Sequence, residues 1–375
     1  MRQRLDVTRL VGTAGVVAPA SVLIEDGQIR AAGTPASVGD AGVEATRIDA
    51  TLVPGFVDLQ VNGIGGIQYG IGDDGLTATA SSLLAAGVTA HCPTITTREW
   101  SHYPAAFASL GDGPTGPAPR NLGLHLEGPF LSASRAGAHD AAAMREPTVA
   151  LAEELVNWAG HNVAIVTLAP ERPGALEVIV QLQELGIVVS AGHTDATFEQ
   201  MGAAVDAGLS MVTHVFNAQR GLGHREPGVA GAALRLEGLT VGIILDGHHV
   251  HPDVALLVLE AAAGRCFAVT DAIATAGLPP GLHEFAGMVV DTSSGAPRLP
   301  NGVLAGSNLT MDAAFRFVAS RCGLVEAVAA TAAIPARAVG HPELAAIEAG
   351  TPADFVALDD DMAVVAVWVD GQQVP

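Results

Sequence analysis

The chain contains no lysine: all 18 of its basic residues are arginine. That absence excludes chemistry built on a specific amine, namely Schiff-base aldolases, pyridoxal-phosphate enzymes, P-loop nucleotidases and protein kinases. It also excludes a metal pair bridged by a carbamylated lysine. Cysteine is scarce as well. Cys92, Cys266 and Cys322 are odd in number, widely spaced and without a CxxC pair, which argues against a disulfide framework or a cysteine zinc ribbon. Positive charge is in short supply, with 18 basic against 39 acidic residues and a net charge of −21. Such a body repels nucleic acid and anionic membranes, so neither is expected as a partner. No apolar run reaches the roughly 18 residues of a membrane span, and the start Met1-Arg2-Gln3-Arg4-Leu5-Asp6 does not read as a secretory signal. The expectation is a cytoplasmic protein acting on a small molecule, with a local basic pocket if that molecule is an anion.

What is present is a large apolar fraction, 49% of 375 residues against 15% charged. This composition supplies a sizeable core and excludes disorder. Short alternating segments at both ends, each with an Asp-Gly turn signal (Asp26-Gly27 and Asp370-Gly371), predict one small β-sandwich domain from residues 1–51 plus 346–375. Between them, residues 52–345 alternate short apolar runs with Ala/Leu-rich helical stretches. Strands are expected at Leu52–Leu59, Thr89–Cys92, Leu122–Leu126, Ala164–Leu168, Ile187–Ser190, Met211–Thr213, Val241–Leu245 and Phe267–Val269. Helices are expected at Leu76–Ala86, Ala150–Trp158, Ala175–Leu185, Phe198–Ala207 and Val254–Ala262. Eight strands with helical crossovers predict an α/β fold, a TIM-like (β/α)8 barrel. A doubly wound sheet is the alternative, but the first βα turn lacks the GxGxxG of its dinucleotide-binding form.

Polar, metal-capable residues follow these apolar runs. Glu127, His193, His214, Asp246 with His248 and His249, and Asp271 each stand where a strand should end. In a barrel of parallel strands those ends share one face, the face on which barrel active sites are built. Glu127, His193 and His214 would then offer one oxygen and two nitrogens to a divalent ion, leaving a position open. Asp271, just outside that set, could act as base and then acid. Any one of these histidines could instead be a hydrogen-bonded structural residue, and Asp246 and Asp271 could be helix N-caps. Five of the eight expected strands ending this way favour the metal site.

Pro54-Gly55-Phe56-Val57-Asp58 resembles the barrel entry of the amidohydrolase superfamily. Within it, His125-Leu126-Glu127-Gly128-Pro129-Phe130, Ala191-Gly192-His193-Thr194, His214-Val215-Phe216-Asn217-Ala218, Arg225-Glu226-Pro227-Gly228, Asp246-Gly247-His248-His249-Val250 and Thr270-Asp271-Ala272 are similar to the N-acetylglucosamine-6-phosphate deacetylase family, essentially end to end. One departure matters. The superfamily's first strand often ends in His-x-His, whereas Gln60-Val61-Asn62 stands here, and amides are weak ligands beside imidazole. One divalent ion per subunit is therefore expected, zinc first, with iron, manganese and cobalt also compatible.

The resemblance implies hydrolysis of the N-acetyl group of an amino-sugar phosphate, with Asp271 moving the proton and His249 steadying the carbonyl oxygen. It implies substrate contacts from Ala138, His139, Asn217, Ala218, Arg225, His249 and the segment Leu304, Ala305 and Gly306. Arg225 suits a phosphate because a guanidinium grips one in bidentate fashion. It also implies a homodimer, with the phosphate-side residues shared across the interface. The competing readings are another mononuclear amidohydrolase (an N-acyl-amino-acid deacetylase or a deaminase) and a non-catalytic barrel.

Overall fold

Pro54-Gly55 divides the apolar run that reads as a single strand over Leu52–Leu59. In the computed structural model, which describes residues 2–39, 42–285 and 288–374, Ala45–Pro54 joins one sheet and Phe56–Val61 another. The break falls at Gly55 because the chain passes so close to Thr89 that a Cβ there would stand 1.9 Å from its Oγ1.

The larger sheet is the barrel. Its strands are β1 (Phe56–Val61), β2 (Val88–Thr96), β3 (Leu124–Glu127), β4 (Val163–Leu168), β5 (Val188–Ala191), β6 (Met211–Val212), β7 (Thr240–Ile243) and β8 (Cys266–Ala268). They pair in parallel and in chain order from β1 to β8. A parallel bridge between Val61 and Ala272 brings the last strand back to the first, supported by Asn62 N–H donating to the Ala272 carbonyl at 2.7 Å and Asp271 N–H to the Gln60 carbonyl at 2.8 Å. Strands covered on both faces are buried throughout, and β1 is so along its whole length, Asp58 and Gln60 included.

The helices between strands form within two residues of their expected ends: Gly75–Ala85, Val149–Trp158, Ala175–Glu184, Phe198–Asp206 and Pro252–Ala261. Ala175–Glu184 shows why. Its buried residues Ala175, Val178, Ile179 and Leu182 recur at helical spacing, so one stripe packs on the barrel. Phe198–Asp206 starts at a capping box in which Thr197 and Gln200 satisfy each other's backbone N–H groups. A further helix, Met311–Cys322, packs Phe315 on Phe56 with ring centroids 5.2 Å apart.

Both chain ends meet in the second sheet. Its strands run in the order 372–374, 364–369, 355–358, 45–54, 2–12, 20–25 and 28–33, with 15–17 pairing on 2–12. Leu5, Val22, Leu52, Phe355 and Trp368 belong to a core separate from the barrel's. At both Asp-Gly turns the two residues take positive φ, 52° and 80° at Asp26-Gly27 and 49° and 70° at Asp370-Gly371, as a tight hairpin requires.

The barrel interior is not wholly apolar. His125 Nδ1 donates to the Leu59 carbonyl at 2.8 Å, so its Nε2 must accept from Thr167 Oγ1 at 2.7 Å. Thr213 lies 2.7 Å beyond Thr167, and Ser190 2.6 Å beyond Thr213. Burial pushes His125 down to about 4, consistent with the neutral ring this order demands. Among the described residues no helix is long and apolar enough to cross a membrane.

Candidate active site

The C-terminal ends of the strands surround a cavity of about 900 Å³. Glu127 closes β3, and immediately after it Gly128 turns with φ +89° where a Cβ would fall 2.1 Å from Thr97 Oγ1. His193, His214 and Asp271 follow β5, β6 and β8 in left-handed backbone conformations, with φ of 48°, 28° and 48°. Non-glycine residues rarely adopt that region, and here it turns three polar side chains into one barrel mouth.

Glu127 is the hub. Its Oε1 lies 3.0 Å from His214 Nε2 and 3.2 Å from His193 Nε2, while Oε2 is 3.7 Å from His139 Nε2. Ligand atoms of Glu127, His139 and His193 all fall within 4.8 Å of one another. His193 Nδ1 donates to the Arg135 carbonyl at 3.0 Å, which leaves the Nε2 lone pair of a neutral ring aimed at a carboxylate oxygen. Two acceptors at that distance repel unless a cation, a proton or a metal ion, lies between them. The buried Nδ1 atoms of His214 and His139 have no hydrogen-bond partner among the described residues. Several imidazoles around one carboxylate is a donor set suited to a divalent ion of borderline softness, so these residues fit such a metal.

The electrostatics agree. Burial alone would raise the Glu127 carboxyl, but His193 and His214 hold it well below its usual range. Burial, helped by neighbouring His193, pushes His139 down to about 3. Asp271 is pushed up to about 6 by burial and by the Glu127 charge.

Gln60 and Asn62 reach this cluster as amide donors. Gln60 Nε2 lies 3.0 Å from Glu127 Oε1 and 3.2 Å from Asp271 Oδ1, and Asn62 Nδ2 lies 2.7 Å from the same Asp271 oxygen. Behind them Asp58 Oδ1 accepts the backbone N–H groups of Gln60 and Thr270, and its Oδ2 accepts the Thr270 hydroxyl. The N-cap reading fails for Asp246. Its carboxylate holds the turn at His248 and His249, and the next helix is capped by His251.

Ala138, His139, Asn217, Ala218, His249, Leu304, Ala305 and Gly306 all line the cavity with the Glu127 cluster. Arg225 does not. It is exposed on the loop before Gly228–Arg235 and lies outside the cavity of its own chain. Three arginines of the chain itself line the cavity: Arg135, paired with Asp195 at 2.7 Å, and Arg98 and Arg298, which the sequence reading passed over. Among the described residues Arg98 donates to the carbonyls of Gly70 (2.9 Å) and Thr96 (3.2 Å), and its place just beyond β2 was the signal that could have revealed it.

Residues 51–374 match the model of the Amidohydrolase family. The chain is 35% identical over 359 residues to the N-acetylgalactosamine-6-phosphate deacetylase of Escherichia coli O157:H7, covering 93% of this chain and 95% of that one. It is 36% identical to the N-acetylglucosamine-6-phosphate deacetylase of Danio rerio, over 89% and 88% of the two chains. Among solved structures, a mutant N-acetyl-D-glucosamine-6-phosphate deacetylase from Mycobacterium smegmatis in complex with N-acetyl-D-glucosamine-6-phosphate superposes with a TM-score of 0.91 at 33% identity, over 99% of each chain. With a matching family model over most of its length and relatives of this similarity, the chain belongs to the amidohydrolase family.

Proposed function

We propose that the enzyme hydrolyses the N-acetyl group of N-acetyl-D-glucosamine 6-phosphate, giving D-glucosamine 6-phosphate and acetate. The observation that carries this reading is the convergence of Glu127, His193 and His214 beside a separately held Asp271, in a cavity of sugar size. Glu127, His193 and His214 would hold one divalent ion, zinc first among those the donors suit. When bound, that ion polarises the amide carbonyl and makes water more acidic.

The remaining steps fall to the side chains. Asp271 takes a proton as water adds to the acetyl carbon, and delivers it to the sugar nitrogen as the C–N bond breaks. A carboxyl raised to about 6 suits both halves of that task. His249 steadies the carbonyl oxygen as charge develops. Ala138, His139, Asn217, Ala218 and the Leu304-Ala305-Gly306 backbone line the space for the sugar.

Arg225 meets the phosphate from a partner subunit in a homodimer. Its exposure outside its own cavity supports that placement. Three unpaired cysteines suit the reducing cytoplasm. The Escherichia coli relative favours a second reading, the galactosamine epimer of the same substrate. Acetate release should be measured on both sugar phosphates and on N-acyl amino acids. Turnover of the amino acids alone sinks the sugar-phosphate reading.

A further inference from the structure

Beyond β7 the chain turns sharply through Asp246-Gly247-His248-His249. Asp246 Oδ1 accepts the backbone N–H groups of His248 and His249, both at 2.9 Å, which fixes the turn. Its Oδ2 stands 2.7 Å from His249 Nδ1, and the two side chains are only 8% and 5% exposed. An ionised carboxylate can only accept, so Nδ1 carries a hydrogen. His249 Nε2 has no hydrogen-bond partner among the described residues, and the ring lines the active cavity together with Asp271.

This arrangement constrains what His249 can do. A ring protonated on Nδ1 alone offers only a lone pair at Nε2, which would repel a carbonyl oxygen gaining negative charge. Donation from Nε2 requires hydrogen on both nitrogens. We infer that Asp246 maintains His249 as an imidazolium, so that Nε2–H is the donor aimed at the developing oxyanion. Asp246 is thus a positioning residue that sets the charge of its neighbour without touching substrate. The inference rests on the deacetylase reading above.

The surrounding charges can be weighed. Asp271 faces the ring from β8 and also favours its cationic form. His248 adjoins it on the same turn. Arg316 and Arg321, on the helix Met311–Cys322, line an outer cleft with Asp246 and His248 and oppose the ring's charge, although Arg316 is already paired with Asp312 at 2.7 Å. Burial works against ionised Asp246, yet its bond to His249 holds the carboxyl below the usual range. Two carboxylates therefore flank the ring, against the opposing cations of the same cavity, Arg98, Arg298 and the divalent ion that Glu127, His193 and His214 would hold.

The test is nitrogen-15 NMR of the histidine rings in zinc-loaded protein, with His249→Gln identifying the signals. Both His249 nitrogens should resonate as imidazolium at about pH 7.5, where an unperturbed ring is neutral. Asp246→Asn should return the ring to neutral and lower kcat on the order of tenfold to a hundredfold, with KM changing less than about threefold. A merely structural role would not move the ring's charge. A neutral His249 ring in the unmodified protein overturns the inference, as does full kcat in Asp246→Asn. Should that variant not fold, the spectrum of the unmodified protein decides alone. The ring is read without substrate, so failure of the deacetylase assay would count against the functional reading and leave the spectrum to judge the ring.

Discussion

Asn62 Nδ2 donates to Asp271 Oδ1 at 2.7 Å, so the first barrel strand holds the carboxylate that follows the last one. Gln60 donates to the same oxygen, so among the described residues both amides engage Asp271 Oδ1 and neither engages Oδ2. Losing one donor to a charged acceptor costs about 1.5–3 kcal/mol. Asn62→Leu should accordingly reduce kcat on the order of tenfold to a hundredfold while metal content stays at the unmodified level. Steady-state kinetics beside atomic absorption checks this, and loss of metal would show that Asn62 serves the ion instead.

Asp271→Asn tests the proton transfer directly. The amide can neither take nor give the proton, so turnover should drop by about two to four orders of magnitude. Metal binding should persist, because Glu127, His193 and His214 are untouched. Retained activity would remove Asp271 from its role.

Arg225 offers a test of sharing between subunits. Arg225→Ala should raise KM for the phosphorylated sugar by about tenfold or more and leave unphosphorylated N-acetylglucosamine little affected. Mixing Arg225→Ala with Asp271→Asn subunits should restore part of the lost activity, since one site in each mixed dimer would keep both groups. No recovery on mixing would mean that Arg225 does not cross an interface.

The barrel was legible because its strands are short, largely apolar runs between helical stretches, most of them followed by a polar residue, a pattern that survives without knowledge of contacts. The convergence of His193 and His214 on Glu127 was legible for the same reason. Three things were not. The split at Gly55 depends on how near Thr89 comes, which no local pattern reports. Gln60 and Asn62 read as weak ligands, and only the closure of β8 onto β1 turns them into donors for Asp271. Arg225 sits in a segment that resembles the family, but its distance from its own cavity is a property of the folded chain.

Asp58 predicts a pH dependence of stability. Burial raises its carboxyl from about 3.8 to about 7, against the hydrogen bonds from Thr270 and Gln60. The folded chain therefore binds a proton that the unfolded chain releases. That contribution is complete below about pH 4 and disappears as pH rises through about 7. Asp58→Asn, neutral throughout, should flatten this fall and gain up to about 4 kcal/mol on the parent between pH 4 and 8. Denaturant unfolding across that range checks it, and a gap that narrows with rising pH would reverse the sign.

Removing the metal gives a last prediction. Chelation should abolish activity and lower the melting temperature, because the Glu127 cluster then loses the cation that its facing lone pairs call for. Far-UV circular dichroism should remain that of a folded barrel, and added zinc should restore activity at about one ion per chain.

The strand Ala45–Pro54 lies between Arg2–Gly12 and Phe355–Leu358, then passes through Gly55 directly into β1. Clipping the final twenty or so residues would therefore do more than shorten a tail. It would strip the hydrogen-bonding edge from the segment that leads into Gln60 and Asn62, and a lesion far from the sugar would be felt as slackened chemistry at the end of the strand that follows Gly55.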